Sequence, residues 1–343
     1  MHTATGFYSD NASGVHPAVL TALAEANEGH ALSYGADRWT TALEETVRGV
    51  FGPDAAIFPV FNGTGANVVA IQSLLQRWEA VVAAGTSHLV TDESTAPQLV
   101  GGAKVVTVPG RAGKLRATDL APILSTWTGS VHHARPAAVT LTQSTELGTT
   151  YSPDELLELT SLVHEHGARV HVDGARLANA AVRLGCSLAE AAAGVDVISF
   201  GGTKNGLLVG EAVVVLDPEL VDAVARLRKA SAQLAAKMRF LSAQLLTLLT
   251  DDLWRSNAQA ANDAADHLAA RLHQELGIEP VHPVQANAVF IPVPPARVTE
   301  VVAQAPVLAW DSGTVRAVAS FDTTEDDVEH LVRELVGVLG RPG

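Results

Sequence analysis

Apolar runs of four to eight residues alternate with longer stretches of helical periodicity through most of this chain. That alternation restricts the fold more than any other feature. Strands separated by helices pair in parallel, and a parallel sheet must be covered on both faces. The spacing predicts strands over Ala56–Val60, Ser87–Thr91, Lys104–Val108, Ala137–Thr142, Arg169–Val172, Asp196–Phe200 and Glu211–Leu216. Helices are expected over Gly65–Glu79, Ser152–His166 and Leu177–Ala193. One helix start is unusually well marked: Ser152 as N-cap, Pro153 at N1 and Glu155 at N3, with Gly167 where the helix should stop.

After about residue 220 the pattern changes. A helical tract runs from Pro218 to about Thr250, and a second helix is expected over Asn257–Leu276. Two short strands follow, at Ala288–Val293 and Thr314–Ser320, and then a terminal helix opened by Thr323-Thr324-Glu325. The expected architecture is α/β: a large domain over residues 1–250, with a mostly parallel central sheet flanked by helices, and a small α+β domain over 251–343.

With 47% hydrophobic and 17% charged residues, the chain can bury a core of that size. Its net charge of −14 argues against a nucleic-acid or anionic-membrane partner. The single cysteine, Cys186, excludes an internal disulfide framework and any cysteine-rich metal site. The start carries no basic and apolar leader pattern, and no apolar run reaches the ~18–20 residues of a membrane span. A cytoplasmic protein is expected.

Three segments carry groups capable of chemistry. Phe61-Asn62-Gly63-Thr64-Gly65-Ala66-Asn67 follows a strand and opens a helix, where free amides attract a phosphate. The same residues could equally form an ordinary glycine turn. Val170-His171-Val172-Asp173-Gly174-Ala175-Arg176 places Asp173 at the carboxyl end of a strand, where open α/β sheets bind ligands. Asp173 could instead cap the following helix. Ser199-Phe200-Gly201-Gly202-Thr203-Lys204 ends a buried strand in a glycine-rich loop with one lysine. A partly desolvated lysine can attack a carbonyl to form a Schiff base, whereas a solvated one would do nothing. Together they supply a phosphate anchor, an amine for an aldehyde and a carboxylate able to keep a pyridine nitrogen protonated, which are the requirements of pyridoxal 5'-phosphate.

The Asp-Gly-Ala-Arg box, the Ser-Phe-Gly-Gly-Thr-Lys loop and the Tyr34-Gly35-Ala36-Asp37 segment together resemble the low-specificity L-threonine aldolases. These belong to the fold-type I pyridoxal-phosphate enzymes, close to the β-eliminating lyases. The resemblance implies retro-aldol cleavage of threonine, allo-threonine and related β-hydroxy-α-amino acids to glycine and an aldehyde. It implies that Lys204 carries the coenzyme, Asp173 pairs with its ring nitrogen, Gly63 and Thr64 hold its phosphate, and His88 stacks on its ring, with Glu93 able to orient that histidine. Arg176 and Arg316, assisted by Ser9, would grip the substrate carboxylate. Tyr34 would reach a neighbouring subunit's site, and Lys229 and Arg239 would touch the partner's phosphate. His132 matches a histidine near the substrate side chain. The base is left among His88, His132 and a water. A homotetramer with shared sites is implied, and no metal is expected.

Two departures stand out. The chain has Ser9-Asp10-Asn11 where relatives often have Ser-Asp-Thr, and Gln143-Ser144-Thr145-Glu146 lacks the histidine that many relatives place there. The rival readings within the same cofactor class are a β-eliminating lyase, a racemase or a phenylserine aldolase. From a different class, His164, His166, His171 and Asp173 would be the ligands of a metal-dependent hydrolase.

Overall fold

A computed structural model describes residues 6–127 and 129–340. Seven strands build the main sheet: β1 (Ala56–Val60), β2 (Glu79–Ala84), β3 (Lys104–Val108), β4 (Arg135–Thr142), β5 (Arg169–Gly174), β6 (Val197–Phe200) and β7 (Glu211–Val215). Their order is β1-β7-β6-β5-β4-β2-β3. Only β7 runs against its neighbours; the β6–β5–β4–β2–β3 pairings are all parallel. This is the mostly parallel, helix-covered sheet the alternation predicts.

Side chains one residue apart on a strand enter opposite cores. Val82, Ala84, Val139, Leu141, Val170 and Val172 face one apolar cluster, and Val81, Ala83, Ala138, Val197 and Val213 face the other. A smaller antiparallel sheet, in the order β8-β10-β9, is formed by β8 (Ala288–Pro292), β9 (Leu308–Asp311) and β10 (Thr314–Val318). It packs with the terminal helix Glu325–Leu339 around Val289, Ile291, Val315, Leu331 and Leu335. The long helix Leu253–Leu276 joins the two regions, giving Trp254 and Ala258 to the large core and Leu268, Leu272 and Leu276 to the small one. Among the described residues no helix is long and apolar enough to cross a membrane.

Four expected elements are corrected. The helix expected over Gly65–Glu79 ends at Leu74, because Glu79 opens β2, and that over Leu177–Ala193 ends at Leu184, capped by Gly185 at φ +66°. Ser87–Thr91 is not a strand: Val90 and Thr91 donate back to the Ser87 carbonyl at 2.8 and 3.1 Å, so His88–Thr91 is a turn of helix. The strand is instead Glu79-Ala-Val-Val-Ala-Ala, buried along its whole length. A strand covered on both faces shows no alternation, and its alanines carry little strand signal. The helical tract after Pro218 is also broken. Helices Val221–Ala230 and Arg239–Leu249 flank a non-helical stretch in which Ala232 has φ +59°. Within that stretch Gln233 accepts from the Phe61 amide at 3.0 Å and Ala236 accepts from the Tyr34 amide at 2.9 Å. Contacts made far along the sequence outweigh helix propensity there.

Candidate active site

The sheet register sets the floor of the site. Thr142, Asp173 and Ser199 are paired neighbours at the carboxyl ends of β4, β5 and β6. Asp173 is buried; Oδ1 accepts from the Ala175 amide at 3.0 Å and Oδ2 from Asn67 Nδ2 at 2.9 Å. Burial alone would raise its pKa, but the Lys204 charge and the Asn67 hydrogen bond outweigh burial and hold it below the usual range. Asp173 is therefore an ionised carboxylate in a dry site.

Two residues back on the same face, His171 bonds Thr140 Oγ1 and Ser199 Oγ, both at 2.8 Å. Burial lowers its pKa to about 4, so it is a neutral, fully satisfied core histidine. It cannot act as a metal ligand without losing one of those bonds. His164 bonds Asp196 at 2.9 Å and His166 bonds the Leu162 carbonyl at 2.9 Å. The metal set His164, His166, His171 and Asp173 is thus not assembled, because each histidine is tied to a different partner.

Lys204 sits in a short 3-10 turn, Thr203–Asn205, directly after β6. The turn is pinned from several sides. Glu211, at the start of β7, accepts from the amides of Gly202 at 2.6 Å and Thr203 at 3.3 Å. Asn205 donates to the Trp254 carbonyl at 3.0 Å, and Asn257 donates to the Asn205 carbonyl at 2.9 Å. A Cβ on Gly201 would lie 2.4 Å from the Ala175 carbonyl oxygen, so only glycine lets the lysine loop approach the aspartate loop this closely. Among the described residues Lys204 makes no ion pair. Burial and then the Arg176 charge lower its pKa, favouring the neutral, nucleophilic amine.

Lys204 and Asp173 line one cavity of about 310 Å³, together with Gly63, Thr64, His88 and Ser199. Gly63 and Thr64 open the helix Gly63–Leu74, whose N-cap Asn62 accepts from the Gly65 amide at 2.8 Å. Asn62, Gly63, Thr64 and Ala66, at the start of that helix, line the cavity. His88 lines it as well. Its Nδ1 is 3.0 Å from Glu93 Oε1, and Asn67 bridges Glu93 and Asp173 with one amide nitrogen, at 2.6 and 2.9 Å. The Glu93 hydrogen bond, helped by the Asp173 charge, raises the His88 pKa.

An adjoining cleft holds the two expected arginines together with Ser144, Glu146 and Asn287. Arg176 is gripped by Asp10 through Nε at 2.7 Å and a terminal nitrogen at 2.8 Å, and Asn287 donates to Asp10 at 2.9 Å. Arg316, on β10, has a buried Nε with no partner and packs its guanidinium over Trp310. Burial and then the Arg176 charge lower its pKa. Two cations that repel one another across a cleft suit an anion between them. Among the described residues Ser9 is tied to the same cluster only through Asp10, its hydroxyl 3.4 Å from the carboxylate.

The remaining expected residues stand apart in this chain. Tyr34 is exposed with φ +61°, and the Lys229 ammonium lies over its ring at 5.1 Å. Arg239 donates to the Gly29 carbonyl at 3.2 Å. His132 is exposed in a turn and is not among the cavity-lining residues.

Sequence reasoning missed Asn67, Glu211 and Asn287. The first two left a signal: Asn67 is a polar residue within the run Ala66–Ile71, which is otherwise apolar, and Glu211 is a carboxylate opening a fully buried strand.

Residues 6–294 match the beta-eliminating lyase family. The chain belongs to that family. It is 39% identical to the low-specificity L-threonine aldolase of Pseudomonas aeruginosa, covering 97% of this chain and 98% of the relative. It is 38% identical to the enzyme of the same description from a Pseudomonas species, covering 97% of each chain. The solved threonine aldolase of Leishmania major superposes with a TM-score of 0.90 at 30% identity, covering 97% of this chain and 99% of that one.

Family and fold imply pyridoxal 5'-phosphate as the cofactor. The residues present fit it. The start of the Gly63–Leu74 helix, an unpaired lysine, and an ionised aspartate held by Asn67 all line one cavity, and the cavity is of small-molecule size.

Proposed function

We propose that this chain cleaves L-threonine, L-allo-threonine and related β-hydroxy-α-amino acids between Cα and Cβ, yielding glycine and an aldehyde. The observation that carries the reading is the placement of Lys204 and Asp173 on one cavity, with the Arg176–Arg316 cleft opening beside it. The coenzyme supplies an electron sink for the pair left on Cα when the Cα–Cβ bond breaks. Lys204 would be the amine that holds its aldehyde. Asp173, held by Asn67, would pair with the ring nitrogen and favour its protonated form. Gly63 and Thr64 would hold the phosphate, and His88 would lie against the ring.

Arg176 and Arg316, with Ser9 assisting, clamp the carboxylate. A fixed carboxylate decides which bond at Cα lies across the ring plane, so the clamp selects cleavage over the rival reactions at the same carbon. Tyr34, Lys229 and Arg239, which stand apart here, are assigned to a partner's site in a homotetramer, and His132 to the substrate side chain. The test is product analysis with L-threonine: equimolar glycine and acetaldehyde are expected. Pyruvate from cysteine without aldehyde from threonine would assign a β-eliminating lyase instead.

A further inference from the structure

Glu146 is a half-buried residue with an inward-facing carboxyl oxygen and no role in the scheme above. It lines a smaller pocket of about 50 Å³, beside the main cavity, that Lys204 and Asp173 also border, and it lines the small recess shared by Arg176 and Arg316. A substrate whose amine is at Lys204 and whose carboxylate is between the arginines spans both spaces, so its reacting carbons pass Glu146. One oxygen is fully engaged: Oε1 accepts from the His88 amide at 2.8 Å and the Thr142 hydroxyl at 2.9 Å. The other, Oε2, is buried with no partner. Beside it, the Ser144 hydroxyl is equally unpartnered.

The charged groups around it come from every neighbouring element: His88, Asp173 on β5, Arg176, Lys204, and Arg316 on β10. None of them forms an ion pair with Glu146 among the described residues. Burial first, and then the Asp173 charge, raise its pKa to about 7, where a general base works best. The histidines are poorer candidates. His88 already engages Glu93 through Nδ1, a hydrogen bond that raises its pKa and favours the protonated ring, which accepts no proton, while His132 does not line the cavity.

Resting on the cleavage reading above, we infer that Glu146 takes the proton from the substrate's β-hydroxyl through Oε2. The O–H pair becomes the second bond of the aldehyde carbonyl, and the Cα–Cβ pair stays on Cα. One proton leaves the hydroxyl and one is added at Cα, so threonine gives acetaldehyde and glycine, and Glu146 is regenerated when it releases its proton.

Glu146→Gln tests this, because the amide oxygen still accepts from His88 and Thr142. With L-threonine, kcat is expected to fall about 100-fold or more while KM stays within about threefold. The wild-type fall in kcat as pH drops below about 7 should vanish in the variant. Independently of turnover, difference infrared spectroscopy of coenzyme-free protein should show one carboxyl titrating near 7 that E146Q lacks. E146Q cleaving within threefold of wild type with its acid limb intact, or no such carboxyl, overturns the assignment alone. A wild-type protein that releases no aldehyde overturns the cleavage reading instead.

Discussion

Replacing Asp10 by Ala perturbs the contact that joins the N-terminal segment to both sheets. Asp10 is buried and makes two charge-assisted hydrogen bonds to Arg176, at 2.7 and 2.8 Å, plus one from Asn287 at 2.9 Å. Removing one partner of a buried pair leaves the other charge uncompensated, which costs about 3–5 kcal/mol. For 343 residues the unfolding entropy is about 0.7 kcal/mol per kelvin, so the melting temperature should drop by about 4–7 °C. The sign with pH also follows. Burial raises the Asp10 pKa, but the Arg176 and Lys204 charges and the hydrogen bonds from Arg176 and Asn287 together outweigh it and leave it lowered. The pair therefore stabilises above the unfolded-state value of about 4 and is lost as pH falls through the depressed native value. Thermal unfolding of wild type, D10A, R176A and the double variant at pH 7 and at a series of pH values below the unfolded-state value measures all of this. The double variant should cost much less than the sum of the singles. A loss below 1 kcal/mol for D10A, or additive single variants, would refute the reasoning.

Glu93→Gln should lower the His88 pKa towards its ordinary value of about 6.5, since the Glu93 hydrogen bond is the main cause of its rise. An NMR titration of the coenzyme-free protein reads this directly; because the native pKa is raised, the stabilising effect of the pair is present at low pH and lost as pH rises through it. Gly201→Ala should abolish coenzyme binding and lower the melting temperature, because its Cβ would sit 2.4 Å from the Ala175 carbonyl oxygen and force the lysine and aspartate loops apart. A stable G201A variant with unchanged coenzyme affinity would show that this close approach is dispensable.

The parallel sheet was legible because its strands β3, β4, β5, β6 and β7 are short apolar runs bounded by polar or glycine residues. Asp173 and Lys204 could be read for the same reason: each is a polar residue placed just after such a run. β2 was hidden because a doubly buried, alanine-rich strand has no period to detect. The neighbouring Ser87–Thr91 run took its place, which set His88 at a strand end rather than on the first turn of a helix. The break at residues 231–238 was hidden too, since the hydrogen bonds from Phe61 and Tyr34 that hold it open come from about 170 and 200 residues away. Asn67 and Asn287 act through partners far along the chain, Asp173 and Asp10, and no local pattern announces such pairings.

Reduction of the coenzyme-loaded protein with borohydride, followed by peptide mapping, addresses the heart of the matter. Hydride converts a lysine–coenzyme imine into a stable secondary amine, marking whichever side chain held the cofactor. A single pyridoxyl group on Lys204, absent from Lys204→Ala, is the expected result. A label on any other lysine, or none at all, would contradict it.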